Sequence, residues 1–141
     1  MRKGRILEQD ADIRKALQET KSIAVLGMSP RAERDSNKVG RYLLDAGYEV
    51  IPVNPAGGEI LGLAVEETIE DLVKGSVDIL DIFRKSEDVA GHVDAAIALQ
   101  PRVVWMQLGV ENGEAAARLT EAGMDVIMDK CIKVEHARLC R

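Results

Sequence analysis

The chain has 141 residues, 46% hydrophobic and 30% charged, with a formal net charge of −5 at pH 7. That is enough chain for one domain with a real core, and the composition excludes a disordered protein. One Trp, two Tyr and one Phe make a poor stacking platform for single-stranded nucleic acid, and the acidic balance opposes binding to nucleic acid or an anionic membrane through the overall field.

No apolar run approaches a bilayer span, and the opening MRKGRILEQDADI lacks a hydrophobic signal core. The two cysteines, Cys131 and Cys140, make neither a disulfide framework nor a metal-type pair. The expectation is a cytoplasmic protein with no metal site, its residues 1–141 forming one domain and 1–21 a helical N-terminal extension.

In chain order, residues 9–20 read as a helix with Ile13, Ala16 and Leu17 on one side. Ile23-Ala24-Val25-Leu26 is a short buried strand ending at Gly27. The basic loop that follows leads into a helix over 36–46, with Val39, Tyr42, Leu43 and Ala46 facing inward and Gly47 as its stop. Strand two is 49–53, and Asn54-Pro55-Ala56-Gly57-Gly58 is a loop. Pro52 lacks an amide donor, so it belongs near a strand end or a bulge.

A short helix is expected over 65–74, then strand three over 77–83, where Asp78 and Asp81 interrupt an apolar run. Their odd spacing puts them on opposite faces, a poor arrangement for an acid/base pair. Ser86 reads as the N-cap of a third helix. Strand four covers 102–107, a helix 112–122, strand five 125–128, and the tail 133–139 adds a turn of helix. Trp105 and Met106 are simplest as core residues, His136 as structural or surface, and His92 as solvent-facing.

Strands alternating with helices of this length specify βαβ units and a parallel sheet. Right-handed crossovers favour a doubly wound α/β sheet of order 3-2-1-4-5, with ligands at the carboxyl tips between strands one and four. The tips follow Leu26, Val53, Phe83, Gln107 and Met128. A strand, a glycine turn and a helix opening near Ser36 make a phosphate cradle, because free N–H groups and the helix dipole converge there.

The turn Gly27-Met28-Ser29-Pro30 lacks the G-x-G-x-x-G spacing of dinucleotide sites. The tip of strand two carries Asn54 where an NAD site would place an acid, and an uncharged tip tolerates a phosphorylated ribose. Coenzyme A and NADP both qualify. Arg31, Arg34, Lys38 and Arg41 against Glu33 and Asp35 form a basic island, in which Arg34 and at most one neighbour are expected to hold the ligand. Ser29 and Ser36 can donate hydroxyl hydrogens to phosphate, although Ser36 could equally serve as a helix N-cap.

Several motifs together resemble the small stand-alone CoA-binding proteins, which are similar to the CoA-binding domain of the succinyl-CoA synthetase alpha subunit. They are Gly27-x-Ser29, Arg34-x-Ser36-x-x-Val39, Gly47-Tyr48, Ile51-Pro52-Val53-Asn54-Pro55 and Ile82-Phe83-Arg84, followed by Trp105-x-Gln107-x-Gly109 and Met128-Asp129-x-Cys131. The resemblance implies a single Rossmann-like domain that binds CoA or an acyl-CoA. It maps the phosphate loop onto Gly27, Ser29, Arg34 and Ser36, with Met28 in the same turn, and the strand-two tip onto Asn54 and Pro55. It carries the pocket to Phe83 and Arg84, and the pantetheine arm along the tips toward Gln107, Gly109 and Cys131. Cys131 reads either as a thiol that pairs with CoA or senses redox state, or as a small buried residue, and the burial habit of free cysteine favours the second.

The family implies no settled reaction. The expected role is a non-catalytic carrier, sensor or regulatory module; the alternative is an NADP-binding oxidoreductase or redox regulator. A homodimer and a partner enzyme subunit both stay open, whereas nucleic acid and membrane are not expected partners.

Overall fold

The computed structural model describes residues 2–141. In chain order the elements are α1 (Asp10–Gln18), β1 (Ser22–Leu26), α2 (Asp35–Asp45) and β2 (Glu49–Val53), then a small hairpin of β3 (Glu59–Ile60) and β4 (Leu63–Ala64). They continue with β5 (Ile79–Ile82), α3 (Val93–Leu99), β6 (Val103–Met106), α4 (Gly113–Glu121), β7 (Asp125–Ile127) and α5 (Ile132–Leu139). Short 3-10 turns cover Ile69–Asp71 and Ser86–His92.

The α/β class is as the periodicity predicts, a five-stranded parallel sheet with helices on both faces. Alternate strand residues feed two cores. Ala24, Leu26, Leu80, Ile82, Val104 and Met106 pack under α3 and α4. Ile23, Val25, Ile79, Val103, Trp105 and Ile127 pack under α1, α2 and α5.

The strand order corrects the expectation. It is β2-β1-β5-β6-β7, so the five strands run 2-1-3-4-5 rather than 3-2-1-4-5. Pro52 explains why β2 takes the edge. In a parallel strand the N–H and C=O of one residue point to the same side, and the Pro52 carbonyl turns outward to the Glu66 N–H (3.0 Å). The missing proline donor therefore falls on the outer side, where no full ladder is needed. β5 is instead buried at every residue, as a central parallel strand should be. Its start is tied to that of β1, because the Asp78 carboxylate accepts the Lys21 and Ser22 N–H groups at 2.8 and 3.2 Å.

Two further expectations differ. The 65–74 segment is not a helix beyond the turn Ile69–Asp71, because Val65 and Glu66 run extended beside β2, with a bridge from Val53 to Glu66. The hairpin that precedes it turns through Leu61 and Gly62, both at positive φ (53° and 76°), the geometry of a two-residue hairpin loop. The N-terminal residues do more than lead into a helix. The Leu7 N–H donates to Val126 O (2.8 Å) and the Val126 N–H to Arg5 O (2.9 Å), which partly covers the far edge of the sheet.

One buried group is out of place. Asp81 is 0% exposed, lies in register between Val25 and Trp105, and neither of its oxygens has a hydrogen-bond partner among the described residues. Burial pushes its carboxyl well above the ordinary range. In the unfolded chain the same group ionises above about pH 4. The contribution of Asp81 to stability is therefore most favourable below that pH and is lost as pH rises toward the folded-state value. Replacing Asp81 with Val should stabilise the fold near neutral pH by roughly 1–3 kcal/mol in urea unfolding, and the gain should shrink toward pH 4. A variant no more stable than wild type at neutral pH would mean that the carboxyl is satisfied.

Candidate functional site

With this strand order the crossovers from β1 to β2 and from β2 to β5 leave on opposite faces, so the crevice opens at the carboxyl tips of β1 and β5. It is not between strands one and four as expected. Gly27 ends β1 at φ +86°, and a Cβ built there would lie 2.5 Å from the Phe83 carbonyl oxygen. Only glycine permits this approach. Past Gly27 the chain opens a cavity of about 400 Å³ lined by Ser29, Arg31, Arg34, Asp35 and Ser36, with Gly27 and Phe83 at its floor.

Hydrogen bonding within this cradle leaves donors to spare. The Ser36 Oγ accepts the Ser29 N–H (2.9 Å) and the Ser29 Oγ accepts the Arg31 N–H (3.1 Å). Both hydroxyl hydrogens are thereby left for an acceptor in the cavity. Ser36 is not the N-cap. Arg34 holds that position without a side-chain cap, and the first N–H groups of α2 have no acceptor within the helix. Arg41 turns elsewhere, bracing the loop through Ala32 O (2.9 Å).

A second cavity, of about 790 Å³, continues from the first and shares Asp35 and Phe83 with it. Lys38, Arg84, Lys85 and Lys133 stand on it, and Val39, Leu108, Val110 and Val134 form its apolar wall. Gln107 and Cys131 lie at the tips of β6 and β7 on the same cleft. The six basic residues on the two cavities make no ion pair among the described residues, and Asp35 and Asp88 are the two carboxylates on the same lining. Unpaired positive charge gathers at the cleft of an acidic protein.

The remaining expected site residues have other surroundings. The Met28 side chain is fully buried and packs against Gly40, so only its backbone belongs to the turn. The Asn54 side chain is engaged twice, donating to Met28 O (2.9 Å) and accepting from the Ala56 N–H (2.9 Å). It clamps the β1 and β2 tips together, and exposed Pro55 follows it. Gly109 lies on the outer side of its loop, its N–H donating to Asp129 Oδ1 (2.7 Å). Lys38, Leu108, Val110, Lys133 and Val134 were not singled out as ligand residues. For Lys133 and Val134 the signal was their place just after the β7 tip.

The groups with displaced pKa values lie mostly apart. The His136 Nδ1 is 2.9 Å from the Tyr42 hydroxyl, and the ring meets Tyr42 and Tyr48 edge to face. Burial lowers the pKa of His136, raises that of Cys140 and pushes the Tyr48 phenol up to about 12. These side chains line a separate small hollow. His92 is half-buried rather than solvent-facing, and burial, then Arg84, lowers its pKa.

A doubly wound sheet with a basic, hydroxyl-bearing turn at its switch point and an adjoining cleft with an apolar wall defines a Rossmann-like domain. The CoA-binding domain model matches residues 21–137, and the chain belongs to that family. The uncharacterised protein YneT of Bacillus subtilis is 43% identical over 127 residues, covering 90% of this chain and 93% of YneT. A Thermus thermophilus structure superposes with a TM-score of 0.88 at 41% identity, over 94% of this chain and 99% of that one. A hypothetical protein from Pyrococcus horikoshii gives 0.90 at 37%, over the whole of both chains. The dinucleotide-forming acetyl-coenzyme A synthetase 1 of Ca. Korarchaeum cryptofilum matches at 0.70 and 26%, over 82% of this chain and 27% of that one.

Gly27→Ala should cost about 2–3 kcal/mol of stability, from positive φ and the collision with the β5 tip together. A variant unfolding at the wild-type urea midpoint would show that the two tips can part freely.

Proposed function

We propose that the protein binds coenzyme A, with the nucleotide phosphates in the cradle between β1 and α2 and the pantetheine arm along the adjoining cleft toward Gln107 and Cys131. The observation that carries this reading is the local excess of basic residues, six against the two acids Asp35 and Asp88, on two joined cavities in a chain of net charge −5. Ser29 and Ser36 supply neutral donors, the start of α2 supplies backbone N–H groups, and Arg31 and Arg34 supply charge. The second cavity fits the uncharged arm, because Val39, Leu108, Val110 and Val134 give it an aliphatic wall and its size lies in the range of ligand pockets, roughly 300–1,000 Å³.

The role that fits this site is a non-catalytic one, a carrier, sensor or regulatory module in the cytoplasm. The family match supports the ligand class, and the position of the cradle supports the mode of binding. Asn54 has a different part from the one its residue type suggests. It contributes by holding the β1 turn in place, donating to Met28 O.

Titration calorimetry of the purified protein with CoA should give a micromolar or tighter complex. Arg34→Ala should weaken it about tenfold, the loss of one charge-assisted contact, without changing the melting temperature of the free protein. The absence of both heat and thermal shift with CoA and acyl-CoAs would remove the proposal.

A further inference from the structure

Gln107 is only 4% exposed, and its two amide atoms have different fates. The Oε1 accepts the Ile132 N–H at the start of α5 (3.0 Å), which fixes the orientation of the amide. The Nε2 donates to no acceptor among the described residues, yet the only fully enclosed, unpartnered side-chain atoms among them are the two oxygens of Asp81. The Gln107 donor therefore opens on the cleft that Gln107 lines. A side chain this buried normally has its polar atoms paired, and a donor left over at a cavity wall asks for an acceptor from a ligand.

The surroundings narrow the acceptor. Leu108 and Val134 are 70% and 56% exposed, and both stand on this cleft beside Val110 and Cys131. The loop carrying Leu108 and Val110 is fixed in advance. Asp129 holds Gly109 (2.7 Å), and Ser86 accepts the Glu111 N–H (3.0 Å) and the Asn112 side-chain amide (3.1 Å). A free thiol is a weak acceptor and leaves the aliphatic rim wet. A thioester offers a carbonyl oxygen, followed by an acyl chain that can cover Leu108 and Val134.

We propose that the ligand is an acyl-CoA rather than free CoA, that Gln107 Nε2 donates to the thioester carbonyl, and that a short aliphatic acyl group lies against Leu108, Val110 and Val134. This rests on the CoA reading above. Gln107 then acts as a specificity residue that distinguishes the esterified from the free cofactor.

The test is calorimetry of CoA, acetyl-CoA and butyryl-CoA against wild type and variants. Butyryl-CoA should bind about tenfold more tightly than acetyl-CoA, at roughly three- to fourfold per added methylene, and acetyl-CoA more tightly than CoA. Gln107→Met, which removes the donor and keeps the volume, should weaken acetyl-CoA more than CoA and bring the two to within about twofold of each other. Should that variant fold poorly for want of the Ile132 contact, Leu108→Ser at an exposed position should flatten the chain-length dependence instead. Equal affinities of CoA and butyryl-CoA for wild type would overturn the proposal while leaving CoA binding intact. So would an equal loss of CoA and acyl-CoA in Gln107→Met, which would assign the donor to a carbonyl of the pantetheine arm. Failure of CoA and acyl-CoAs alike to bind would overturn both readings.

Discussion

The site depends on how closely the tips of β1 and β5 approach each other. Gly27 turns out of β1 with its α-carbon against the Phe83 carbonyl, so the loop that follows is thrown clear of the sheet rather than continuing over it. A side chain there would push the β1 turn away from β5 and separate the cradle from the cleft that shares Phe83 with it. Because β1 and β5 are neighbours with crossovers leaving on opposite faces, no helix covers this point. The crevice is a product of topology, and glycine decides how narrow its floor is.

The residues above that floor divide by chemistry. On the β1–α2 side the polar groups bond one another in a way that uses hydroxyl oxygens as acceptors and keeps their hydrogens for a ligand. On the β6–β7 side the wall is aliphatic, with one oriented amide. Cations ring both without internal partners, so a polyanion entering the cradle need not break existing ion pairs, while the rest of the acidic surface steers it toward this edge. A uniformly polar pocket would hold the phosphates as well but would gain nothing from a long uncharged arm.

Much of this was legible in the sequence. The alternation of short apolar runs with helical stripes specified the α/β class, and the motif from Gly27 to Ser36 marked the turn that the fold places at the crevice. The alternation alone does not fix the strand order, because it fits 3-2-1-4-5 and 2-1-3-4-5 alike. Pro52 argues for an edge, and the run at 79–82, apolar but for Asp81, argues for the centre. Asn54 was read for its charge, whereas the fold uses its amide and carbonyl as a clamp, a role visible only once the β1 and β2 tips are adjacent. The apolar half of the cleft left little trace, because Leu108, Val110 and Val134 become a surface only when two loops distant in sequence meet.

The far wall of the cleft shows how a short element is made rigid enough to matter. α5 has eight residues, too few to persist as a helix without tertiary support. Its first turn is pinned by Gln107, and Trp105 donates to Lys130 O (2.8 Å) just before it. Its other end is held by Arg138, which bonds both carboxylate oxygens of Asp10 (2.9 and 2.7 Å) and reaches Glu135. The Arg138 hydrogen bond holds the Asp10 carboxyl below the ordinary range, and Arg14 donates to Leu139 O (2.9 Å). Exposed pairs of this kind add little to global stability, but two-pronged contacts fix orientation. α1, remote from the ligand edge, thus helps to set where Val134 and the start of α5 stand, and the shape of the cleft depends on residues that never touch what it holds.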